Sequence, residues 1–315
     1  MINTLNPLTL YVRGFFCIEN NGSIIYNIVG DIMEKIKIHV LHTGEVRTSP
    51  YLPYGNGCSI IKASGFTTAK SKWIWMPVSV YLIEHPKGLI LVDTGWNRDM
   101  SPNGEYDKKA QIKSLGSYIL YLINQGKVEK GKAIDEQLNK MGIKASDIDY
   151  VLLTHLDCDH ANGLKLVKDA KNILVSNDEL SMLKKQSPVI KIRFQKKWWN
   201  GTKLKGFNYN DNEGPFCKAF DLFGDESIKM INIPGHSDGL CAVKIKNSEG
   251  KYVLLFSDGG YSEKSWREMI TSGISMDKGK QKKSLAWIRE QSLDKNCIES
   301  LANHDINIKE HIIAL

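Results

Sequence analysis

The apolar positions of this chain fall in short runs rather than long stripes. Ile36-Lys37-Ile38-His39-Val40-Leu41 alternates apolar and polar residues, the period-2 pattern of a strand with one buried face. Residues 78–84 and 89–93 are two further strand-like runs. They are joined by His85-Pro86-Lys87-Gly88, which reads as a hairpin turn. Residues 150–154, 173–175, 228–233, 241–245 and 252–256 are apolar runs of buried-strand length. Helical periodicity is confined to other stretches: 132–141, closed by Gly142; a segment after Gly163; a segment opened by Ser176 and Glu179 at capping-box spacing; and 284–293. Residues 187–222 carry little periodicity and read as a long insertion or a substrate-facing segment. Strands followed by helices, then the same order again, predict an α/β fold: an αββα sandwich of two mixed sheets with helices outside.

Composition sharpens this picture in a few respects. At 315 residues with 42% hydrophobic positions, the chain can bury one large layered core. The expected division is a single domain over 33–315, with 1–32 an N-terminal extension outside the core fold or an artefact of start-site choice. The net charge is +7, but the basic residues are scattered and the runs Lys196-Lys197 and Lys282-Lys283 are short. Such a surface is a solvated one, and nucleic acid is not the expected partner. The six cysteines, at 17, 58, 158, 217, 241 and 297, include no Cys-x-x-Cys pair. They do not form a disulfide framework, and a reducing cytoplasm is the expected compartment. No apolar run is long enough to span a membrane, and the N-terminus lacks the basic start of a signal peptide.

The chemistry concentrates at strand ends. Thr154-His155-Leu156-Asp157-Cys158-Asp159-His160 places four potential metal ligands just after an apolar strand. Imidazole and carboxylate together suit Zn²⁺, Fe²⁺ or Mn²⁺. Pro234-Gly235-His236-Ser237, Ser257-Asp258-Gly259-Gly260-Tyr261 and Ala302-Asn303-His304-Asp305 each set a His or Asp after an apolar or mixed run in the same way. Cys158 reads as a packed thiol that would point away from its neighbours on an extended backbone. His39, His42 and His311 have no ligand partner by motif. Trp73, Trp75, Trp198 and Trp199 are core aromatics or part of an apolar substrate wall.

The order of these motifs resembles the metallo-β-lactamase superfamily, whose dinuclear sites read His-x-His-x-Asp-His, then a lone His, a lone Asp and a lone His. Leu91-Val92-Asp93-Thr94-Gly95 matches that superfamily's early Asp-Thr-Gly turn. Asp258 followed by Tyr261, and Asn303-His304-Asp305, are similar to the N-acyl-homoserine lactonases within it. The resemblance covers about residues 36–310. It implies a first metal held by His155, Asp157 and His236, a second by Asp159, His160 and His304, and Asp258 bridging the two. It further implies opening of an ester ring by a metal-bridging hydroxide. Tyr261 would stabilise the oxyanion, and Asp159 would assist the leaving oxygen. Asp93 would be a turn residue or a partner of a ligand rather than a ligand. The departure is Asp157, where the superfamily has His. It adds a negative charge and a harder oxygen, which would weaken zinc or favour iron or manganese at the first position; the alternative is that Asp157 is not a ligand and the first site is only partly occupied. The expected partner is therefore a small ester or lactone. Thioesters, β-lactams and phosphodiesters are the rival substrates, and a diiron redox protein or a non-catalytic binder are the rival classes.

Overall fold

Two sheets form the centre of the computed structural model, which describes residues 35–185 and 187–315. The reading of residues 1–32 as an extension lies outside the described residues. The first sheet contains β1 (Lys37–Thr48), β2 (Ile74–His85), β3 (Gly88–Val92), β4 (Gln125–Lys127), β5 (Tyr150–Leu152), β6 (Asn172–Ser176), β7 (Leu204–Phe207) and, later in the chain, β13 (His311–Ala314). The second contains β8 (Ala219–Asp221), β9 (Ile228–Asn232), β10 (Cys241–Lys246), β11 (Tyr252–Leu255) and β12 (Cys297–Leu301). Their orders are β13-β1-β2-β3-β5-β6-β7, with β4 also paired to β1, and β12-β11-β10-β9-β8. β3, β5, β6 and β7 pair in parallel, as do β11 and β12, so both sheets are mixed.

The period-2 pattern decides which face each residue buries. Ile38 and Val40 of β1, Ile90 and Val92 of β3, and Val243 and Ile245 of β10 meet in one cluster between the sheets. Leu91 and Val151 point to the other face of the first sheet. There they pack against Ile134 and Leu138, Met182 and Ile190, from the helices Ile134–Lys140, Asn177–Met182 and Pro188–Arg193. Ala242 and Leu254 take the outer face of the second sheet, against Leu285 and Ile288 of helix Lys278–Leu293. Each fully buried aliphatic side chain contributes about 1.5–3 kcal/mol. This is the αββα sandwich that the pattern predicted. No helix among the described residues is long and apolar enough to cross a membrane.

The structure differs from the pattern in places that bear on the site. The motif after β5 does not stay extended: Cys158–Ala161 is a short helix with Asp157 at its N-cap, followed by the 3₁₀ turns of Asn162–Val167. Cys158 is buried, as expected, but on a helix rather than by strand alternation. Ser176 caps Asn177–Met182 by accepting from the Glu179 N–H, whereas the Glu179 carboxylate does not reach back to the cap. The insertion at 187–222 contains helix Pro188–Arg193, β7 and β8.

Candidate metal centre

All seven residues singled out as ligands converge at the strand ends between the two sheets. His155, Asp157, His236 and Asp258 form one cluster whose ligand atoms lie within 4.8 Å of one another; Asp159, His160 and His304 form a second. Asp258 faces both. Its Oδ2 lies 3.3 Å from His236 Nε2 and 3.9 Å from His155 Nε2, and its Oδ1 lies 3.4 Å from His160 Nε2 and 3.2 Å from His304 Nε2. The arrangement suits a two-metal site.

The hydrogen bonding of the donor set points the same way. Buried polar atoms are normally satisfied. Here His155 Nε2, His160 Nε2, His304 Nε2 and Asp258 Oδ1 are buried with no hydrogen-bond partner, and they point at one another. The opposite ring nitrogens are fixed. His304 Nδ1 lies 2.8 Å from the Pro77 carbonyl oxygen, which only accepts, so Nδ1 donates to it and Nε2 is the nitrogen turned toward the cluster. His155 Nδ1 lies 3.1 Å from Thr154 Oγ1, and His160 Nδ1 lies 2.7 Å from Asp93 Oδ2. Orphaned nitrogens aimed inward, with their partners behind them, fit divalent metal ions.

Backbone strain marks the same place. Asp93 and Ser257 adopt φ of +60° and +48°, a region that residues other than glycine rarely occupy. The turn at Asp93 brings its carboxylate under His160. That carboxylate also accepts from the Thr154 N–H at 2.8 Å, Thr154 Oγ1 at 2.9 Å and Asn303 Nδ2 at 3.1 Å. The turn at Ser257 delivers Asp258, and its hydroxyl lies 2.9 Å from Thr154 Oγ1. Gly235, at φ +140°, lets the loop of His236 touch helix Lys278–Leu293: a Cβ there would sit 2.3 Å from the Gln281 backbone. Replacing Asp93 with Asn should therefore leave the fold intact and lower metal affinity about 10–100-fold, the cost of losing an outer partner of a ligand. A competition titration against a chromophoric chelator measures it.

Charge is balanced within the cluster. Burial opposes ionisation of Asp258, but His304 and His160 outweigh it and hold the carboxyl well below its ordinary pKa. Burial likewise opposes charge on His160, and Asp93 and Asp258 overcome it. Tyr261 is buried and its ring stacks on His304 at 5.3 Å between centroids. Burial first, then the Asp258 and Asp159 carboxylates, push its pKa well above the usual value, so the phenol stays a hydrogen-bond donor.

Three residues take roles at the site that the sequence reading did not assign to them. Glu179 is buried and ties the two ligand loops together, accepting from the Leu156 N–H at 3.1 Å, Ser237 Oγ at 2.7 Å and the Gly239 N–H at 3.1 Å. Asn303 joins Asp93 to the Ser79 carbonyl. Arg193, from the end of helix Pro188–Arg193, enters the centre and grips Asp157 with Nε and Nη2, each at 2.6 Å. The only available signal for Arg193 was indirect: a carboxylate where the superfamily has imidazole requires a counterion. His39, His42 and His311 lie outside the centre, beside Glu84, Ser79 and Glu299 respectively.

A cavity of about 190 Å³ opens onto Asp157, Asp159, Asp258 and Tyr261. Its wall is largely aliphatic, with Val46, Leu52, Met76, Leu120, Ile192 and Ile274 among the lining residues. The tryptophans do not line it. Trp198 is buried and donates to the Ser114 carbonyl.

Residues 73–249 match the family model of the metallo-beta-lactamase superfamily. The chain belongs to that superfamily, and in class it is a metal-dependent hydrolase. It is 23% identical over 211 residues to an N-acyl homoserine lactonase, AttM, of Rhizobium radiobacter, covering 63% of this chain and 71% of that one. It is 24% identical over 221 residues to an N-acyl homoserine lactonase of Bacillus cereus, covering 70% and 78%. Among solved structures, an N-acyl homoserine lactone hydrolase with N-hexanoyl-L-homoserine at its catalytic metal centre superposes with a TM-score of 0.66 at 20% identity, covering 86% of this chain and 94% of that one. The dizinc quorum-quenching lactonase AidC superposes with a TM-score of 0.58 at 17% identity, covering 86% and 87%. These structures share the fold.

Proposed function

We propose that this protein opens the ester ring of N-acyl-homoserine lactones, or of closely similar acylated lactones, at a two-position metal centre. The observation that carries the reading is the aliphatic cavity whose lining also includes Tyr261 and, from the ligand clusters, Asp157, Asp159, His236 and Asp258. An acyl chain in that cavity would place a polar ring at the centre. The relatives named as N-acyl homoserine lactonases support the same substrate class.

His155, Asp157, His236 and Asp258 would hold one ion, zinc or else iron or manganese, and Asp159, His160, His304 and Asp258 the other. When bound, such ions supply Lewis acidity and a water of near-neutral pKa. The protein's own groups do the rest. The aliphatic wall binds the acyl tail and excludes bulk water. Tyr261 donates a hydrogen bond to the carbonyl oxygen as negative charge develops on it. Asp159, beside His304, passes a proton to the departing ring oxygen. Residues 33–315 act as one hydrolase domain in this reading.

A substrate panel on metal-loaded protein tests the proposal: acyl-homoserine lactones, thioesters, β-lactams and a generic phosphodiester. Lactones with medium acyl chains should give the highest kcat/KM. Turnover of the phosphodiester with inert lactones would reject the reading. The wall argues against that outcome. Among the described residues lining the cavity, Arg193 is the one guanidinium and no lysine joins it; Arg193 is already paired with Asp157.

A further inference from the structure

The two metal positions are not equivalent. At the second, His160 Nε2, His304 Nε2 and Asp258 Oδ1 are all without partners. At the first, Arg193 occupies two of the four ligand side chains, Asp157 and His236. Its fork holds both oxygens of Asp157. Its Nη2 lies 2.7 Å from His236 Nε2, and its Nη1 donates to the His236 carbonyl at 3.0 Å. A guanidinium only donates and does not lose its proton in a protein. While it stays, His236 Nε2 and the Asp157 oxygens are not free for a metal. Of the inward-facing imidazole nitrogens on that side, His155 Nε2 remains orphaned.

We propose that Arg193 is an internal cation that stands in for the first metal ion and competes with it. The protein then holds one divalent ion tightly, at Asp159, His160, His304 and Asp258, and a second only weakly, when Arg193 is displaced. The proposal rests on reading the cluster as a metal centre and deepens it.

Asp157 and Arg193 form one device. Asp157 supplies the carboxylate that a guanidinium fork requires; a histidine there would leave the buried Arg193 without its counterion. The Arg193 side chain is only 11% exposed, so it has little water to turn to. Asp157→His alone should therefore destabilise the protein, and Arg193→Met should relieve it.

The experiment is calorimetric titration of chelator-stripped protein with Zn²⁺ and, separately, Mn²⁺, with elemental analysis after desalting. The set is wild type, Arg193→Lys, Arg193→Met and the double variant Asp157→His/Arg193→Met, each checked for folding by circular dichroism. Wild type and Arg193→Lys should bind one equivalent tightly and the next at least about 100-fold more weakly, because a divalent ion must approach a fixed positive charge. The double variant should bind two equivalents tightly. Two tight equivalents in wild type would overturn the proposal, as would a folded double variant that still binds one. If the double variant does not fold, the wild-type titration decides alone. Stoichiometry is independent of substrate: failure of the lactone panel would sink the substrate assignment and leave this result standing.

Discussion

Asp258→Ala is expected to reduce turnover to background and to release the tightly held metal as well as weakening the second position. One carboxylate faces four imidazoles, with Oδ2 toward His155 and His236 and Oδ1 toward His160 and His304. Its loss removes an oxygen donor from each ion at once and leaves buried nitrogens crowded together without a neutralising charge. The loss of affinity should exceed about 100-fold, since losing even an outer partner of a ligand costs about 10–100-fold. Elemental analysis after dialysis and steady-state kinetics at saturating metal measure the two effects. Near-normal metal content with near-normal turnover would remove Asp258 from the shared role.

Tyr261→Phe is expected to leave metal content and fold intact and to lower kcat. The ring packs against His304 and an apolar cluster, and phenylalanine keeps those contacts. What disappears is a buried hydroxyl held protonated beside the centre. Removing one oxyanion donor costs on the order of 10²–10³ in rate. The interaction strengthens as charge develops, so the fall belongs in kcat and KM should move little. A change confined to KM would assign Tyr261 to substrate binding alone.

Much of the architecture was legible because the buried strands are locally encoded. β1, β3 and β10 alternate or run apolar over their own few residues, and no distant partner is needed to recognise them. β4, β7, β8, β12 and β13 were missed for the opposite reason. Gln125–Lys127 and Cys297–Leu301 mix polar and apolar residues, and they become strands by pairing with β1 and β11. Helix Lys278–Leu293 starts earlier than its periodicity suggests, because its first turns are rich in lysine and only the Asp277 cap marks the start.

The ligand residues were legible for a similar reason. Each lies in a short motif at the end of a strand, and chain order alone arranges them. Their supports were partly hidden. Glu179 looked like a capping residue because its spacing from Ser176 is that of a cap; the buried donors of Leu156, Ser237 and Gly239 claim its side chain instead. Arg193 lies in an aperiodic stretch, and only the fold brings it to Asp157. Its position changes what the departure at Asp157 means. The carboxylate is half of a buried ion pair as well as a candidate oxygen ligand.

The central claim is metal-dependent opening of an acylated lactone ring. Ring opening converts an ester to a carboxylic acid and releases a proton near neutral pH, so the rate can be followed directly in a pH-stat with an N-acyl-homoserine lactone. Metal-loaded protein should release acid, chelator-stripped protein should not, and readdition of zinc, manganese or iron should restore the rate. Acid release that survives complete metal removal, or none from fully loaded protein, would contradict the account.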